Sequence, residues 1–403
     1  MPKHKAFYIS NTENKKQLLK QITSGQWFKE LNTLKGAVFS DFTVNAFIEE
    51  ETRHGRFDVQ TATTNSLKNS SEGERKRALL QHILKSKPEY IVLDNVFDCL
   101  DVEAQANIEN TLTQLSQHTQ IIQVATRKRD ILDFIEDIYV LEDGEPKLYI
   151  ETAERKHKNF TQALPQPYEL DRETFNPLIQ LNNVSVSYGE RPIIKNINWE
   201  IKPGEFWQLI GPNGSGKSTI LSLISGDNPK GYMADMTLFG IKKGSGETVW
   251  DIKKHIGFYT SEMLRGFKRR DTIESMIISG FVDSIGLYSY PTDRQMRIAQ
   301  QWISLLNMSA IKDKSFQFLS NGHKRLVLIA RAMVKHPPLL ILDEPTNGLD
   351  DTDAQLFSEL VNKIAQESDT AIIYVSHRKE EFIQPDFVFE LTPHPNGSVG
   401  RSL

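Results

Sequence analysis

One octapeptide, Gly211-Pro212-Asn213-Gly214-Ser215-Gly216-Lys217-Ser218, constrains the fold more than any other stretch of the sequence. It matches G-x-x-x-x-G-K-[ST], a pattern in which glycines let backbone N–H groups turn around a phosphate at a helix N-terminus. The pattern needs a strand before it and a helix after it, and the runs FWQLI and STILSLI stand in those places. Lys217 is then predicted to reach the outer phosphates, and the Ser218 hydroxyl to ligate Mg²⁺.

A pair of carboxylates follows a second apolar strand. Asp343 ends the run LLILD and Glu344 comes next. An Asp at the carboxyl end of a strand can hold Mg²⁺, and the adjacent Glu is placed to orient or deprotonate an attacking water. Taken alone, the pair could equally cap a helix. The upstream phosphate loop makes catalysis the preferred interpretation.

An internal repeat organises the rest of the chain. Leu319 to Asp350 and Ser70 to Asp101 each contain a Gly-centred turn, an amphipathic helix, a polar break with Pro and an apolar strand ending in Asp. A further apolar strand follows each copy, at 371–378 and 121–128. Apolar runs that alternate with helical patterns predict parallel strands buried between helices.

The order of phosphate loop, helical segment, LSNGH, LILDEP, GLD and VSH resembles an ATP-binding cassette (ABC) ATPase. The resemblance covers Leu178 to about Leu391, and Ser70 to about Leu141 in weaker form. It implies that Tyr188 stacks on adenine, that His377 contacts the γ-phosphate and that Asp350 lies in a loop crossing a dimer interface. Taken alone, His377 would be a surface histidine. The ATP-binding residues it implies are Tyr188, Gly211, Pro212, Asn213, Gly214, Ser215, Gly216, Lys217, Ser218, Thr219 and Ser261.

The sequence also departs from the family pattern. Ser261, followed by Glu262, stands where the family usually has glutamine, and its hydroxyl is too short to ligate a metal in the same way. The signature LSNGH keeps Ser320 and Gly322, which the family uses to meet a γ-phosphate in trans. Asn321 and His323 replace the usual Gly and Gln. The segments KGSGETVWDIKKHIG, SGFVDSIGLY and TDRQ resemble the soluble tandem-cassette proteins associated with molybdate transport, a group also labelled photorepair proteins.

The first half has lost the groups that act in cis. No G-x-x-x-x-G-K pattern precedes Ser70, Asn95 stands in place of the catalytic glutamate, and Thr126 in place of His377. An amide cannot act as a general base, so this half is not expected to hydrolyse ATP. Asp94 is expected to serve as a strand-end cap or hydrogen-bond partner.

The first half keeps the groups that act in trans. Because cassette dimers hold each nucleotide between one phosphate loop and the other signature, Ser71 and Gly73 are predicted to complete the site around Lys217. In a competing arrangement, two second halves pair between chains through Ser320 and Gly322. A third possibility is that the first half is a decayed copy kept for folding.

Composition excludes several other classes of protein. The net charge of -4 shows no basic excess, so no nucleic-acid partner is expected. The single cysteine, Cys99, rules out an intrachain disulfide and is expected to be a small buried residue. The N-terminus lacks a secretory h-region, and no run approaches the ~20 apolar residues that span a bilayer. A cytoplasmic chain, possibly peripheral at the inner membrane, is expected, and a transport role would need separate permease subunits.

The sequence therefore predicts an α/β protein with a P-loop core and a mainly parallel sheet. We expect a degenerate ABC-like domain without a P-loop at 1–151, a linker at 152–177 and a complete ABC domain at 178–403. In the complete domain, an antiparallel β subdomain is expected around 178–209 and a helical subdomain around 262–318. The predicted reaction is hydrolysis of ATP with Mg²⁺, in an ABC transport system. A soluble non-transport ATPase and an ATP-gated switch with negligible turnover remain as alternatives.

Overall fold

The computed structural model describes residues 2–61, 66–98, 100–151, 160–168, 173–267, 270–377 and 380–403. The chain forms two compact units. Unit 1 comprises Met1–Lys156 together with Asn347–Thr352, and unit 2 comprises His157–Thr346 together with Asp353–Leu403. Cys99 and parts of the predicted linker, 152–159 and 169–172, lie outside the described residues.

Unit 1 is built on one six-stranded sheet with the order β2-β3-β4-β1-β5-β6. Its strands pair in parallel except for the β5–β6 hairpin. The neighbouring strands β3 and β4 are buried along their whole length, as expected of parallel strands covered on both faces. The strands are β1 (Lys5–Tyr8), β2 (Gly36–Phe39), β3 (Tyr90–Asp94), β4 (Gln120–Ala125), β5 (Asp137–Glu142) and β6 (Glu145–Leu148).

Four α-helices of unit 1 begin at polar capping residues. They are α1 (Lys15–Thr23), α2 (Asp41–His54), α3 (Glu72–Lys85) and α4 (Val102–Leu115). The side chains of Asn14, Ser40, Ser71 and Asp101 each accept a backbone N–H of the first turn, which satisfies donors that a helix leaves unpaired. The buried helix faces pack on the two faces of the sheet and form two apolar clusters.

Unit 2 repeats this sheet, with the order β12-β13-β14-β9-β15-β16. The strands are β9 (Phe206–Ile210), β12 (Ile256–Thr260), β13 (Leu339–Asp343), β14 (Ala371–Ser376), β15 (Phe387–Thr392) and β16 (Val399–Ser402). All pair in parallel except β15 with β16. This sheet confirms the predicted α/β fold with a mainly parallel core.

A separate antiparallel sheet of unit 2 has the order β11-β10-β7-β8. It is formed by β7 (Ile179–Tyr188), β8 (Arg191–Ile201), β10 (Met236–Leu238) and β11 (Ile241–Lys242). The predicted antiparallel subdomain around 178–209 therefore extends to residue 242. The run Phe206–Ile210 belongs instead to the parallel core, because it pairs with β14 and β15.

The helices of unit 2 include a predicted helical region between β12 and the signature segment. There α7 (Met263–Gly266), α8 (Ile273–Ile278) and α9 (Asp293–Leu305) lie within the expected 262–318. The other helices are α5 (Lys217–Ile224), α6 (Val249–Lys253), α10 (Asn321–Met333) and α11 (Asp351–Glu367), whose first two residues belong to unit 1. Within the described ranges, no helix is long and apolar enough to cross a membrane.

The two six-stranded sheets share one register, which relates residues of the two halves. In each sheet the third strand of the order, β4 or β14, pairs on one side with the Asp-ending strand (β3 or β13). On its other side it pairs with the strand that leads into the loop before a helix (β1 or β9). The equivalent trios are Phe7, Val124 and Asp94 in unit 1, and Leu209, Val375 and Asp343 in unit 2. The repeat found in the sequence is therefore a repeat of the whole sheet.

Candidate nucleotide-binding site

The loop from Gly211 to Gly216 joins the central strand β9 to the start of α5. Three of its glycines have positive φ angles, +156° at Gly211, +77° at Gly214 and +96° at Gly216. Residues that carry a side chain rarely adopt these backbone conformations, so glycine is needed there for the backbone to turn its N–H groups inward. The buried Ser215 hydroxyl, aimed into this loop, has no hydrogen-bond partner among the described residues.

Lys217 is the first residue of α5, and its side chain folds back over the loop. Its Nζ donates to the carbonyl oxygens of Gly211 at 2.6 Å and Pro212 at 3.1 Å. The same ammonium lies 3.2 Å from Nδ1 of His377. The cation is thus held at the mouth of the loop, where a phosphate would lie.

Side chains from two neighbouring strand ends, Glu344 after β13 and His377 after β14, lie beside Lys217. Glu344, directly after β13, has a φ of +48° and donates its N–H to the Val375 carbonyl at 3.0 Å. Its Oε1 forms an ion pair with Nε2 of His377, which follows β14. One imidazole therefore contacts both the loop lysine and the carboxylate predicted to direct water.

Asp343 lies at the end of β13 among these groups. Burial, and after it the neighbouring Glu344 charge, raises the pKa of this carboxyl to about 6. Lys217 and His377 oppose the shift, whereas Glu262 adds to it. The site thus concentrates negative charge at the strand end, which a cation would offset.

The donor set fits Mg²⁺ supplied together with a nucleotide. Ser218 and Asp343 offer oxygen donors, which this cation prefers, and Mg²⁺ is usually held by one or two carboxylates plus substrate phosphates. No group of three or more His, Cys, Asp or Glu side chains able to hold a metal occurs among the described residues.

The remaining predicted ATP-binding residues lie at the ends of nearby elements of unit 2. Tyr188 ends β7 with its side chain 49% exposed, and its hydroxyl accepts a hydrogen bond from Asn228 at 2.9 Å. Ser261 follows β12 directly, and Ser218 and Thr219 lie in the first turn of α5. An exposed ring at a strand end is compatible with stacking on a base, which stays a prediction.

The signature residues of unit 2 form the start of α10. Ser320 caps this helix by accepting the N–H of His323 at 3.2 Å, and its hydroxyl lies 3.1 Å from Nδ1 of the same residue. A Cβ on Gly322 would lie 2.2 Å from the Asp353 carboxylate, so glycine allows this close approach. His323, at the position where the family usually has Gln, thus contacts the capping hydroxyl through both its backbone and its side chain.

Ser71 and Gly73 begin α3 of unit 1 in the same way. The Ser71 hydroxyl accepts the N–H of Glu74, while the Glu74 carboxylate accepts the N–H of Ser71, which forms a capping box. A Cβ on Gly73 would meet only an ordinary contact, 3.5 Å from Leu100. The capping role of Ser71 is structural, and its predicted role in trans stays a prediction.

Unit 1 carries a counterpart of the phosphate loop that the sequence pattern missed. Ile9 to Asn14 joins β1 to α1 just as Gly211 to Gly216 joins β9 to α5, so Lys15 stands at the position of Lys217. No residue from Ile9 to Asn14 has a positive φ angle, and Asn14, in place of Gly216, has a φ of -79°. The one signal available in the sequence was the strand–loop–helix spacing that ends in lysine.

The pair Asp343–Glu344 of unit 2 also has a counterpart in unit 1, Asp94–Asn95, in which an amide replaces the second carboxylate. Asn95, with a φ of +42°, donates its N–H to Val124 at 2.9 Å as Glu344 does to Val375. Its side-chain oxygen accepts the N–H of Thr126 at 3.1 Å. Asp94 forms an ion pair with Lys15 at 3.6 Å, and burial raises its pKa while Lys15 opposes the shift.

Sequence reasoning also missed a buried network behind Glu344. Nη1 of Arg325 donates to the Pro345 carbonyl at 2.5 Å. The Thr346 hydroxyl donates to Glu380 at 3.0 Å and lies 3.2 Å from the Tyr374 hydroxyl. These contacts fix the turn that carries the Glu344 carboxylate, and no short sequence motif predicts them.

The sequence of the chain is similar to those of known proteins. Residues 194–347 match the family model described as ABC transporter. The chain is 37% identical over 390 residues to the ABC transporter ATP-binding protein ModF of Escherichia coli (strain K12), covering 90% of this chain and 80% of that protein. An uncharacterized ABC transporter ATP-binding protein of Schizosaccharomyces pombe is 30% identical, covering 78% of this chain and 66% of the relative.

Two further comparisons are of a different kind: one relative matches only half of the chain, and one solved structure matches the fold of the whole chain. The zinc uptake system ATP-binding protein ZurA of Listeria innocua is 34% identical over 206 residues, covering 50% of this chain and 77% of that protein. A solved structure titled RNase-L Inhibitor matches with a TM-score of 0.66 and 16% identity, covering 100% of this chain and 85% of that one. At that identity the likeness concerns the fold alone.

Proposed function

The chain belongs to the ATP-binding cassette family, and we propose that it hydrolyses ATP at one site, built on the loop Gly211–Gly216 of unit 2. The position of His377, which contacts both Lys217 and Glu344, supports this proposal most directly. The equivalent groups of unit 1 are neutral or paired internally.

In the proposed reaction, the loop amides and Lys217 bind the phosphates of ATP. Ser218 and Asp343 would hold Mg²⁺, which supplies neutralisation of charge on the phosphate oxygens when bound. Glu344 orients the attacking water and accepts its proton. His377, which contacts Glu344 and Lys217, is placed to follow the γ-phosphate.

The remaining assignments stay proposals of the same kind. Tyr188 is proposed to stack on adenine, with Ser261 and Thr219 nearby. Ser320 and Gly322, or Ser71 and Gly73, are proposed to meet the γ-phosphate in trans. We also propose the domain limits 1–151, 152–177 and 178–403.

We propose further that this ATPase is the cytoplasmic ATP-binding component of a transport system, peripheral at the inner membrane through separate permease subunits. The names of the ModF and ZurA relatives support a transport association. The alternatives are a soluble ATPase without a permease and an ATP-gated switch with negligible turnover; the photorepair label stays a prediction.

Two variants test the proposed site. We expect Lys217→Ala to lose ATP binding, because the phosphates lose their cation. Glu344→Gln should keep ATP binding but lose turnover by about 10²–10⁴-fold, the usual contribution of a positioned base. Release of phosphate from purified protein measures both effects, and vigorous turnover by Glu344→Gln would contradict the role of this carboxylate.

Two further measurements separate the partner hypotheses. Recovery of an integral membrane protein with this chain from detergent-solubilised membranes would support transport, and recovery of soluble partners alone would oppose it. Light scattering of the Glu344→Gln variant in ATP distinguishes the modes of cassette pairing. A monomer would exclude pairing between chains, whereas a dimer would support it.

A further inference from the structure

Tyr188, at the end of β7, has an exposed ring whose hydroxyl is held by a buried side chain. The residue is 49% exposed, and an exposed side chain of this kind ordinarily changes rotamer within nanoseconds. Here Nδ2 of Asn228 donates to the Tyr188 hydroxyl at 2.9 Å. Asn228 itself is 4% exposed and lies in the turn that follows α5. The ring is therefore tied to the interior of unit 2.

Asn228 is fixed on its other sides by the chain around it. Its Nδ2 also donates to the Ser222 hydroxyl at 3.0 Å, and its Oδ1 accepts the Lys230 N–H at 3.1 Å. Its backbone N–H donates to the Ser222 carbonyl at 2.9 Å. Both donors of the side-chain amide are thus in use, so Asn228 serves to hold Tyr188 rather than to read a base itself.

The same contacts join the ring to the helix that follows the phosphate loop. Ser222 lies in α5, which begins at Lys217, and its hydroxyl donates to the Thr219 carbonyl of the first turn at 2.8 Å. Three successive hydrogen bonds therefore lead from Thr219 through Ser222 and Asn228 to the Tyr188 hydroxyl. Breaking one of them would leave a buried polar group without a partner, which costs free energy. One helix thus holds both Lys217 and the Tyr188 ring.

We propose that Asn228 is a positioning residue for the nucleobase, which holds the Tyr188 ring in place relative to α5 before ATP binds. The inference rests on the proposed stacking of adenine on Tyr188 and adds the residue that prepares this ring. An unrestrained side chain loses rotamer freedom when a ligand orders it, whereas a restrained side chain has lost that freedom already. The usual size of this loss corresponds to a change of about threefold to tenfold in Kd. Because the hydrogen bond acts on the ring, the binding of ligands without a base should not depend on it.

Tyr188→Phe tests the proposal, because it keeps the ring and removes only the hydroxyl. Isothermal titration calorimetry on the full chain measures the Kd for ATP and for inorganic tripolyphosphate, each with Mg²⁺. The background is Glu344→Gln, which is expected to bind ATP without turnover. Tyr188→Phe should raise the Kd for ATP about threefold to tenfold and leave the Kd for tripolyphosphate unchanged. An unchanged Kd for ATP, or an equal rise for both ligands, would overturn the proposal.

Asn228→Ala removes the same hydrogen bond from its other side. The double variant with Tyr188→Phe should bind ATP no more weakly than Asn228→Ala alone, because both changes remove one bond. Effects that multiply in the double variant would show that the two side chains act separately, and would overturn the proposal. If Asn228→Ala does not fold, Tyr188→Phe decides by itself. The matched control is Tyr290→Phe, which removes the hydroxyl of a fully exposed tyrosine of unit 2 and should change neither Kd.

Tyr188→Ala separates failure of this inference from failure of the proposed function. Loss of the ring should raise the Kd for ATP more than Tyr188→Phe does, because the base loses its stacking surface. If Tyr188→Ala weakens ATP binding and Tyr188→Phe does not, the stacking assignment stands and the positioning role of Asn228 fails. If Tyr188→Ala leaves ATP binding unchanged, the stacking assignment itself fails, and the positioning role fails with it.

Discussion

Replacing Gly216 by alanine tests whether the phosphate loop depends on the backbone shape that the structure shows. Gly216 has a φ of +96°, and a Cβ built there would lie 2.6 Å from Cγ2 of Ile194 and 3.3 Å from Cγ2 of Ile193. Ile194 is buried, so it has little room to move. The substitution thus adds a packing conflict to an unfavourable backbone conformation.

The magnitude follows from these two contributions. A side chain held at such a φ angle costs about 1–3 kcal/mol, and the overpacked contact costs about another 1–3 kcal/mol. Gly214→Ala is the matched control, since its φ of +77° is also positive but a Cβ there would meet nothing within 4 Å. The difference between the two variants therefore isolates the packing contribution, about 1–3 kcal/mol.

The assay is urea-induced unfolding without nucleotide, followed by tryptophan fluorescence. Four of the five tryptophans, Trp199, Trp207, Trp250 and Trp302, lie in unit 2, so the signal reports mainly on that unit. We expect Gly216→Ala to lower the free energy of unfolding by about 2–6 kcal/mol, the sum of the two contributions. A loss no larger than that of Gly214→Ala would refute the reasoning.

Two other substitutions probe buried charges in unit 2. Lys243 and Glu247 form a buried ion pair at 2.9 Å. Glu247→Gln should therefore lower the free energy of unfolding by about 3–5 kcal/mol, because it leaves the lysine without its carboxylate. A decrease below about 1 kcal/mol in urea unfolding would contradict this. Burial raises the Glu247 pKa, but the hydrogen bonds from Lys243 and Gly244 outweigh burial and lower the pKa to about 2. The stabilisation that the ionised Glu247 gives the folded chain is therefore complete above the unfolded pKa of 4.5 and is lost as the pH falls toward 2. Burial, aided by Lys254, lowers the pKa of His255 to about 4, so the unfolded chain binds this proton more readily and stability falls from pH 6.5 toward pH 4. After discounting for partial solvent contact, His255→Phe should reduce the loss of stability between pH 7.5 and pH 5 by about 1–2 kcal/mol; an identical pH dependence in both proteins would exclude this histidine as its cause.

Much of unit 2 could be predicted from the sequence because its chemistry uses short motifs. The glycines of 211–216 are needed for positive φ angles, and Asp343 ends an apolar run that becomes a buried parallel strand. These local signals place the loop and the carboxylates correctly. The contact of His377 with Lys217 could not be predicted in the same way, because it joins two strands 160 residues apart in the sequence.

The counterpart loop in unit 1 escaped prediction for a physical reason. A phosphate loop is recognised by its glycines, and Ile9–Asn14 has replaced them all while keeping its place between strand and helix. Only the pairing register of β1 and β3 with β4 identifies Lys15 as the equivalent of Lys217. The contacts of Asn11 with Gly348 and Asp350 span more than 300 residues and follow from the fold alone.

The number of ATP molecules bound per chain tests the central claim most directly, namely that nucleotide chemistry is confined to unit 2. Equilibrium dialysis with the Glu344→Gln variant should give one ATP per chain, and Lys217→Ala should reduce this to none. The double variant Lys15→Met/Asp94→Asn removes the unit 1 ion pair without leaving a buried charge unpaired, and it should still bind one. Two ATP molecules per chain, or binding that survives Lys217→Ala and is lost in the double variant, would contradict the account.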